Sequence, residues 1–285
     1  MRHYYQLGLQ AVRIILKEGW RSFLRRLKRR LRPIETISIH GERITHLYPN
    51  DLYYAHLSIY GFAEQFCGDR VVLDAGSGGG YGTAYLAKSG ARLAWGIDIG
   101  ADAVAFSNNN FKLPNLKYSV MDLGDISKLP SDCFDVVFTS NVLEHVRNVN
   151  QFFYHVCRII KPNGIMVIAV PPILNETDKS ANINSRFHLN IWSPRQWFFM
   201  TNLYFRDIHC YKHIFNRQDI HLDFTNTPER TVITEKDFVF PLIPFNSFYD
   251  RSTITIIMTA QKPRPIDQIP TPNEPIVFID DSFSR

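Results

Sequence analysis

Three aspartates stand where a sheet protein could use them for chemistry. Asp74 belongs to the apolar run Val71–Ala75, directly ahead of Gly76-Ser77-Gly78-Gly79-Gly80-Tyr81-Gly82. Asp98 closes Leu93–Asp98, twenty-two residues beyond Gly76, and Asp122 follows Met121 at the end of a third apolar run. Glycines let a chain turn sharply and approach a ligand, and a helix that follows presents unpaired N–H groups. The glycines fall as G-x-G-x-G, with Tyr81 where the dinucleotide fingerprint G-x-G-x-x-G needs its third glycine. Asp74 would repel a pyrophosphate and welcome a cation. Asp98 is placed for bidentate hydrogen bonding to ribose hydroxyls, and Asp122 to accept from the exocyclic amine of a purine. Each acid alone also reads as a turn or cap residue; three at successive strand ends ask for a common explanation.

The elements that must hold these acids follow from hydrophobic patterning. From Arg70 to about Pro172, short apolar strands at Val71–Ala75, Leu93–Asp98, Leu116–Met121, Phe134–Ser140 and Ile165–Val170 alternate with helical stretches. That alternation predicts a parallel sheet covered on both faces. Upstream, residues 34–68 hold a polar connection and an aromatic-rich helix around Leu52–Phe66. Beyond Pro172 come polar Asn175–Ser185, an aromatic helix near Pro194–Thr201, and strands at Tyr204–Tyr211 and Ser252–Ala260, with Lys212–Asp250 as an insertion between the last two. Five prolines between Pro263 and Pro275 keep residues 263–285 out of the sheet, as an extended or mobile tail. The organisation expected is a basic helix over 1–33, a domain over 34–262 (cofactor half 70–172, substrate side 173–250, last strand 252–260), and the tail.

The central block resembles the class I S-adenosylmethionine-dependent methyltransferases. The matching stretches are the glycine motif, Gly96–Ile99, Phe134-Asp135-Val136-Val137-Phe138-Thr139-Ser140-Asn141-Val142-Leu143-Glu144-His145-Val146, and Arg158-Ile159-Ile160-Lys161-Pro162-Asn163-Gly164. The resemblance covers roughly Leu52–Lys262 and implies an α/β, Rossmann-like, seven-stranded, mostly parallel sheet with helices on both faces, its last strand antiparallel at the sheet edge. It implies S-adenosyl-L-methionine as cofactor, with Asp74, Gly76, Ser77, Gly78 and Gly80 around the methionine part, Asp98 at the ribose, Met121 and Asp122 bordering the adenine, and Ile99 also among the cofactor-binding residues. Asn141 would lie near the sulfonium and the substrate. More narrowly, Glu42-Arg43, His56-Leu57-x-x-Tyr60-x-Phe62-Ala63 and Phe187-His188-Leu189-x-x-Trp192-Ser193-Pro194 are similar to methyltransferases encoded with glycan biosynthesis enzymes, with Ile59 where that group commonly has a basic residue.

The implied acceptor is a small molecule, sugar or glycan precursor, with a hydroxyl as the expected site of methylation. A quinone or secondary-metabolite O- or C-methyltransferase and a catalytically silent cofactor-binding scaffold are the alternatives. Methyl transfer from a sulfonium is an in-line displacement that depends mainly on positioning, supplemented by proton removal when the acceptor is a hydroxyl. His145, after the fourth strand, is the first candidate base; His188 is the second, and each also reads as a structural histidine. No cluster of histidines and carboxylates shows metal-ligand spacing along the chain, so no required metal is expected.

Composition narrows the class further. At 285 residues, with 45% hydrophobic and 21% charged, the chain can bury a substantial core, which excludes a disordered or fibrous protein. The net charge of +5 is divided unevenly. Residues 1–33 carry ten Lys/Arg against Glu18, giving +9, and the other 22 basic and 26 acidic residues give −4. That acidic body, without the Asn/Asp-Pro-Pro-Tyr/Phe tetrapeptide of amino-group methylators, argues against a nucleic-acid partner. The basic segment repeats apolar residues every three or four positions from Leu9 to Leu31 and reads as a packed or self-associating helix, a peripheral membrane contact, or a nucleic-acid binder. Cys67, Cys133, Cys157 and Cys210 are far apart and read as reduced thiols of a cytoplasmic protein. No apolar run is long enough to span a bilayer, no secretory signal is evident, and no motif speaks to oligomeric state.

Overall fold

The computed structural model describes residues 43–183, 187–249, 252–273, 276 and 278, so the basic segment 1–33 lies outside the described residues. Six helices are described: α1 (Asp51–Ala63), α2 (Tyr81–Lys88), α3 (Ala101–Asn110), α4 (Val149–Ile159), α5 (Glu176–Ile183) and α6 (Pro194–Tyr204). The strands are β1 (Val71–Ala75), β2 (Leu93–Asp98), β3 (Leu116–Val120), β4 (Phe134–Ser140), β5 (Ile160–Val170), β6 (Phe205–Phe215), β7 (Phe238–Val239), β8 (Leu242–Ile243) and β9 (Thr255–Pro263). They form one sheet of order β3-β2-β1-β4-β5-β9-β6-β7, with β8 paired to β6.

Pairing is parallel from β3 through β5 and antiparallel from β9 outward. The chain leaves β1 toward β2 and β3, then crosses back to β4 on the other side. This reversal opens a crevice at the carboxyl ends of β1 and β4, the position where open α/β sheets bind ligands.

Two sequence expectations are corrected here. The sheet has nine strands rather than seven, because the insertion contributes the two-residue strands β7 and β8, both paired to β6. The last strand is internal rather than at the edge. β6 and β9, the two long strands flanking the insertion, pair with each other from Phe205↔Pro263 to His213↔Thr255, while the other edge of β9 pairs with β5, so β6 lies outside β9. The sequence 264–273 is held against α4. The side-chain amides of Asn148 and Asn150 donate to the carbonyls of Pro272 (3.1 Å) and Thr271 (2.7 Å), and Ile269 is buried.

Both sheet faces are buried, which explains why β4 and β5 read as continuous apolar runs. Val136, Phe138, Ile165, Val167 and Ala169 face a cluster with Ile59, Tyr60 and Leu86 of α1 and α2. Phe134, Val137, Met166, Ile168 and Val170 face the opposite cluster with Phe152, Phe153, Val156 and Trp197 of α4 and α6. Helix starts are set locally. Asn50 caps α1 by accepting from Tyr53 N, Asn148 caps α4 by accepting from Gln151 N, and Ser193 and Gln196 form a capping box with Pro194 in the first turn of α6.

Phe138 on β4 pairs in register with Asp74 on β1. It is fully buried, and its ring lies 4.6 Å from that of Tyr60. Phe138→Ala is expected to cost about 3–5 kcal/mol in denaturant unfolding, the range for deleting a buried phenyl ring.

Candidate active site

The crevice is built around Asp74. Its side chain is completely buried; Oδ2 accepts from Thr83 Oγ1 at 2.6 Å and from the Tyr60 hydroxyl at 3.4 Å, while Oδ1 has no hydrogen-bond partner. Burial pushes its carboxyl up to about 7, the Thr83 and Tyr60 bonds pull the other way, and the Asp98 charge adds to the rise. The hydroxyls of Ser77 and Thr139 are also buried without partners. Buried polar atoms are nearly always satisfied. Two of these orphans, Asp74 Oδ1 and Ser77 Oγ, flank Gly76 in the chain and describe a site shaped for a ligand with donors and positive charge.

The turn places them. Gly76 has φ 92°, and a Cβ there would stand 2.4 Å from Val142 Cγ2. Gly78 has φ 51° and faces open space. Only glycine takes the first position, since any side chain would push Val142 and the turn after β4 aside. Asp98 locks the turn from the next strand: Oδ2 accepts from Gly78 N at 2.9 Å and Oδ1 from Gly100 N at 2.8 Å. Arg43 reaches Asp98 Oδ1 at 3.4 Å and clasps both oxygens of Asp102 at 3.0 and 3.1 Å.

Ile99 is 68% exposed although it directly follows a buried strand. With half-buried Met121 on the neighbouring strand end, it leaves an apolar surface beside Asp98. Asp122 is exposed and caps the 3-10 turn Leu123–Lys128 by accepting from Gly124 N at 2.7 Å through Oδ1. Asn141 has φ 51°, unusual for a residue other than glycine, and its N–H donates to Ala169 O at 2.9 Å.

His145 and His188 meet. His145 ends the short turn Leu143–His145, and its ring lies 5.0 Å from that of His188. The segment carrying His188 is strapped to this turn. Leu189 N and Asn190 N donate to Glu144 O at 2.7 and 2.9 Å, and Asn190 Nδ2 donates to the carbonyls of Leu143 and Val146. One ligating atom from each of Glu144, His145 and His188 lies within 4.8 Å of the others. Beyond β5, a cavity of about 680 Å³ is lined by Pro172, Glu176, Asp178 and Thr253. The same helix α5 supplies Asn182, whose Oδ1 lies 2.6 Å from His188 Nδ1.

Several residues of the site carry no chemical signature in the sequence. Thr83 and Tyr60 reach Asp74 from two different helices, and Asn190 is a strap two residues after His188. The cysteines stand apart: Cys67, Cys157 and Cys210 are buried, and burial pushes each thiol up to about 12, so none is a poised nucleophile.

A doubly covered parallel sheet, a glycine turn after β1 and acids at successive strand ends define the class I S-adenosylmethionine-dependent methyltransferase fold. The comparisons agree: residues 73–168 match the family described as "Methyltransferase domain". A tRNA U34 carboxymethyltransferase of Ruthia magnifica subsp. Calyptogena magnifica is 36% identical over 106 residues, 35% of this chain and 32% of the relative. A ubiquinone biosynthesis O-methyltransferase of Rickettsia typhi is 34% identical over 113 residues, 38% of this chain and 43% of the relative. The matched stretch thus spans less than half of these curated relatives. Among solved structures, a possible histamine N-methyltransferase from Thermotoga maritima has a TM-score of 0.56 at 10% identity, covering 74% of this chain and 91% of that one. A Haemonchus contortus phosphoethanolamine N-methyltransferase 2 in complex with S-adenosyl-L-methionine has a TM-score of 0.52 at 18% identity, covering 72% and 52%. At these identities the likeness speaks for the fold alone.

Proposed function

We propose that this protein binds S-adenosyl-L-methionine in the β1/β4 crevice and transfers its methyl group to a hydroxyl of a small molecule, sugar or glycan precursor. The orphaned, buried Oδ1 of Asp74 carries the reading, because the ammonium of the methionine moiety supplies the donor and the positive charge that this oxygen lacks. Ser77 adds an unpaired hydroxyl beside the turn formed by Gly76, Gly78 and Gly80. Asp98 faces the ribose, Ile99 and Met121 provide apolar surface for the adenine, and Asp122 keeps its second oxygen for the exocyclic amine. Asn141 borders the reacting centre. The cofactor supplies an activated methyl group; the chain holds the acceptor, and His145 takes its proton.

The cavity beyond β5 has Asn175, Glu176, Thr177, Asp178 and Thr253 in its lining beside Pro172 and Leu174, in keeping with a hydroxylated acceptor. The Rickettsia relative favours one alternative, an aromatic hydroxyl of a quinone precursor. Incubation with methyl-labelled S-adenosylmethionine and a panel of sugar nucleotides, glycan precursors and catechols separates the two. Label on a carbohydrate is the expected outcome; label on catechols alone overturns the glycan reading. The basic segment 1–33 we assign to peripheral attachment at an anionic surface. Among the described residues no helix is long and apolar enough to cross a membrane.

A further inference from the structure

We infer that Glu144, His145 and His188 form a binding site for one divalent transition-metal ion beside the methyl-transfer crevice. A two-imidazole, one-carboxylate set suits Mn²⁺, Co²⁺ or Zn²⁺ better than Mg²⁺, which prefers all-oxygen surroundings. Chain spacing hides it, because His145 and His188 lie 43 residues apart and meet only through the strap at Leu189 and Asn190.

Three observations carry the site. The first is spacing. The ligating atoms lie within 4.8 Å of one another, and His145 Nε2 stands 3.8 Å from Glu144 Oε1, too far for a hydrogen bond. Two bonds of about 2.1 Å to one ion separate their ligand atoms by roughly 3.4 Å, so the His145–Glu144 pair closes with a shift of about 0.4 Å and the widest pair of the set with at most about 1.4 Å, within reach of side-chain adjustment.

The second is tautomer. His145 Nδ1 lies 3.0 Å from the carbonyl of Phe187, which can only accept, so the ring proton sits on Nδ1 and Nε2 carries the lone pair. Asn182 Nδ2 donates to Asp178 O at 2.8 Å, which turns the amide oxygen toward His188 Nδ1 at 2.6 Å and sets the same tautomer there. Metal-binding histidines are oriented in this way, through a proton donated from the other ring nitrogen to an oxygen.

The third is location. Glu144 is buried, at 3% exposure, and sits two residues beyond Val142, whose methyls pack on Gly76 of the cofactor turn. Among the described residues, strap and turn give the ion three protein ligands, fewer than a transition-metal ion takes, and a hydroxylated acceptor has the oxygens to join them. Such an ion lowers the pKa of a bound hydroxyl. With Nε2 held by the ion, His145 is a ligand and no longer the base, so the transfer balances as the O–CH₃ bond forming and the S–CH₃ bond breaking, with that electron pair returning to sulfur and the metal-acidified hydroxyl proton passing to solvent in place of His145.

The use of the ion rests on the methyltransferase reading; its binding does not, and is measured separately. Tag-free, chelator-stripped full-length protein is titrated with Co²⁺ by visible absorption and with Mn²⁺ by calorimetry. The site requires one saturating equivalent with ligand-field bands, weakened at least about 100-fold in both His188→Ala and Glu144→Gln. Absence of saturable binding in the wild type, or binding that either variant leaves unchanged, overturns it. Calorimetry with S-adenosylmethionine on the same samples separates the readings: unchanged cofactor affinity in His188→Ala shows that the crevice is intact. Loss of cofactor binding in the wild type would defeat the methyltransferase reading while leaving the metal titration decisive.

Discussion

Asp74→Asn weakens S-adenosylmethionine binding by at least about 30-fold, while the unliganded variant is as stable as the parent or more stable at pH 8. Removing one partner of a buried, hydrogen-bonded charge pair costs about 2–5 kcal/mol, and each 1.4 kcal/mol is tenfold in affinity. The stability half follows from the sign of the shift. Asp74 titrates at about 7 in the folded chain against 3.8 in the open, chiefly because burial disfavours the charge. The folded state therefore holds the proton more tightly. This contribution to stability is fully present below pH 3.8 and is lost as pH rises to about 7, so above 7 the unliganded fold carries an uncompensated charge. Asparagine removes that cost but cannot attract a cation. Cofactor affinity in the wild type should fall by up to tenfold per pH unit below 7, and the dependence should flatten in the variant. Calorimetry across pH 5.5–8.5 and thermal melts without ligand check both halves. A variant that is less stable and still binds would show that Asp74 is a structural anchor.

The second large effect is on turnover. His145→Ala is expected to lower kcat by about 10²–10⁴-fold with cofactor affinity unchanged. The range follows from the chemistry. Orientation of cofactor and acceptor recovers about 7–11 kcal/mol of the barrier, and this variant leaves that largely in place. What it removes is the group positioned for the acceptor proton in the metal-free site, or one of the ion's ligands once the metal is bound. Cofactor binding should survive because Asp74 and Asp98 stand on β1 and β2, and the residue after β4 that packs on Gly76 is Val142, which this variant leaves in place. Single-turnover kinetics alongside calorimetry make the separation. Full activity in the variant would remove His145 from the chemistry and leave it the structural role that its bond to Phe187 O already describes.

The parallel half of the fold was legible because buried strands advertise themselves. Val71–Ala75, Leu93–Asp98 and Phe134–Ser140 are apolar on both faces and are bounded by glycines or polar turns, so their ends coincide with the observed ones. The outer half was harder. A two-residue strand such as Phe238–Val239 has no period to detect, and the placement of β9 inside the sheet depends on pairing across a long insertion. The same distinction runs through the site. Asp74, the glycines and Asp98 are local to one βαβ unit, so spacing alone brings them together. Thr83 and Tyr60 meet Asp74 only through helix packing, and His188 meets His145 only because Asn190 fastens a distant loop to the turn after β4. The Pro-rich segment 264–273 looked free because proline cannot extend a ladder, yet amide side chains on α4 satisfy its carbonyls instead.

Calorimetric titration of S-adenosylmethionine into the wild-type chain at pH 8 tests the central claim most directly. The orphaned Asp74 oxygen and the glycine turn require saturable binding of one equivalent, with Kd tighter than about 1 mM. No detectable binding under those conditions would contradict the account, leaving a methyltransferase fold whose crevice serves another purpose.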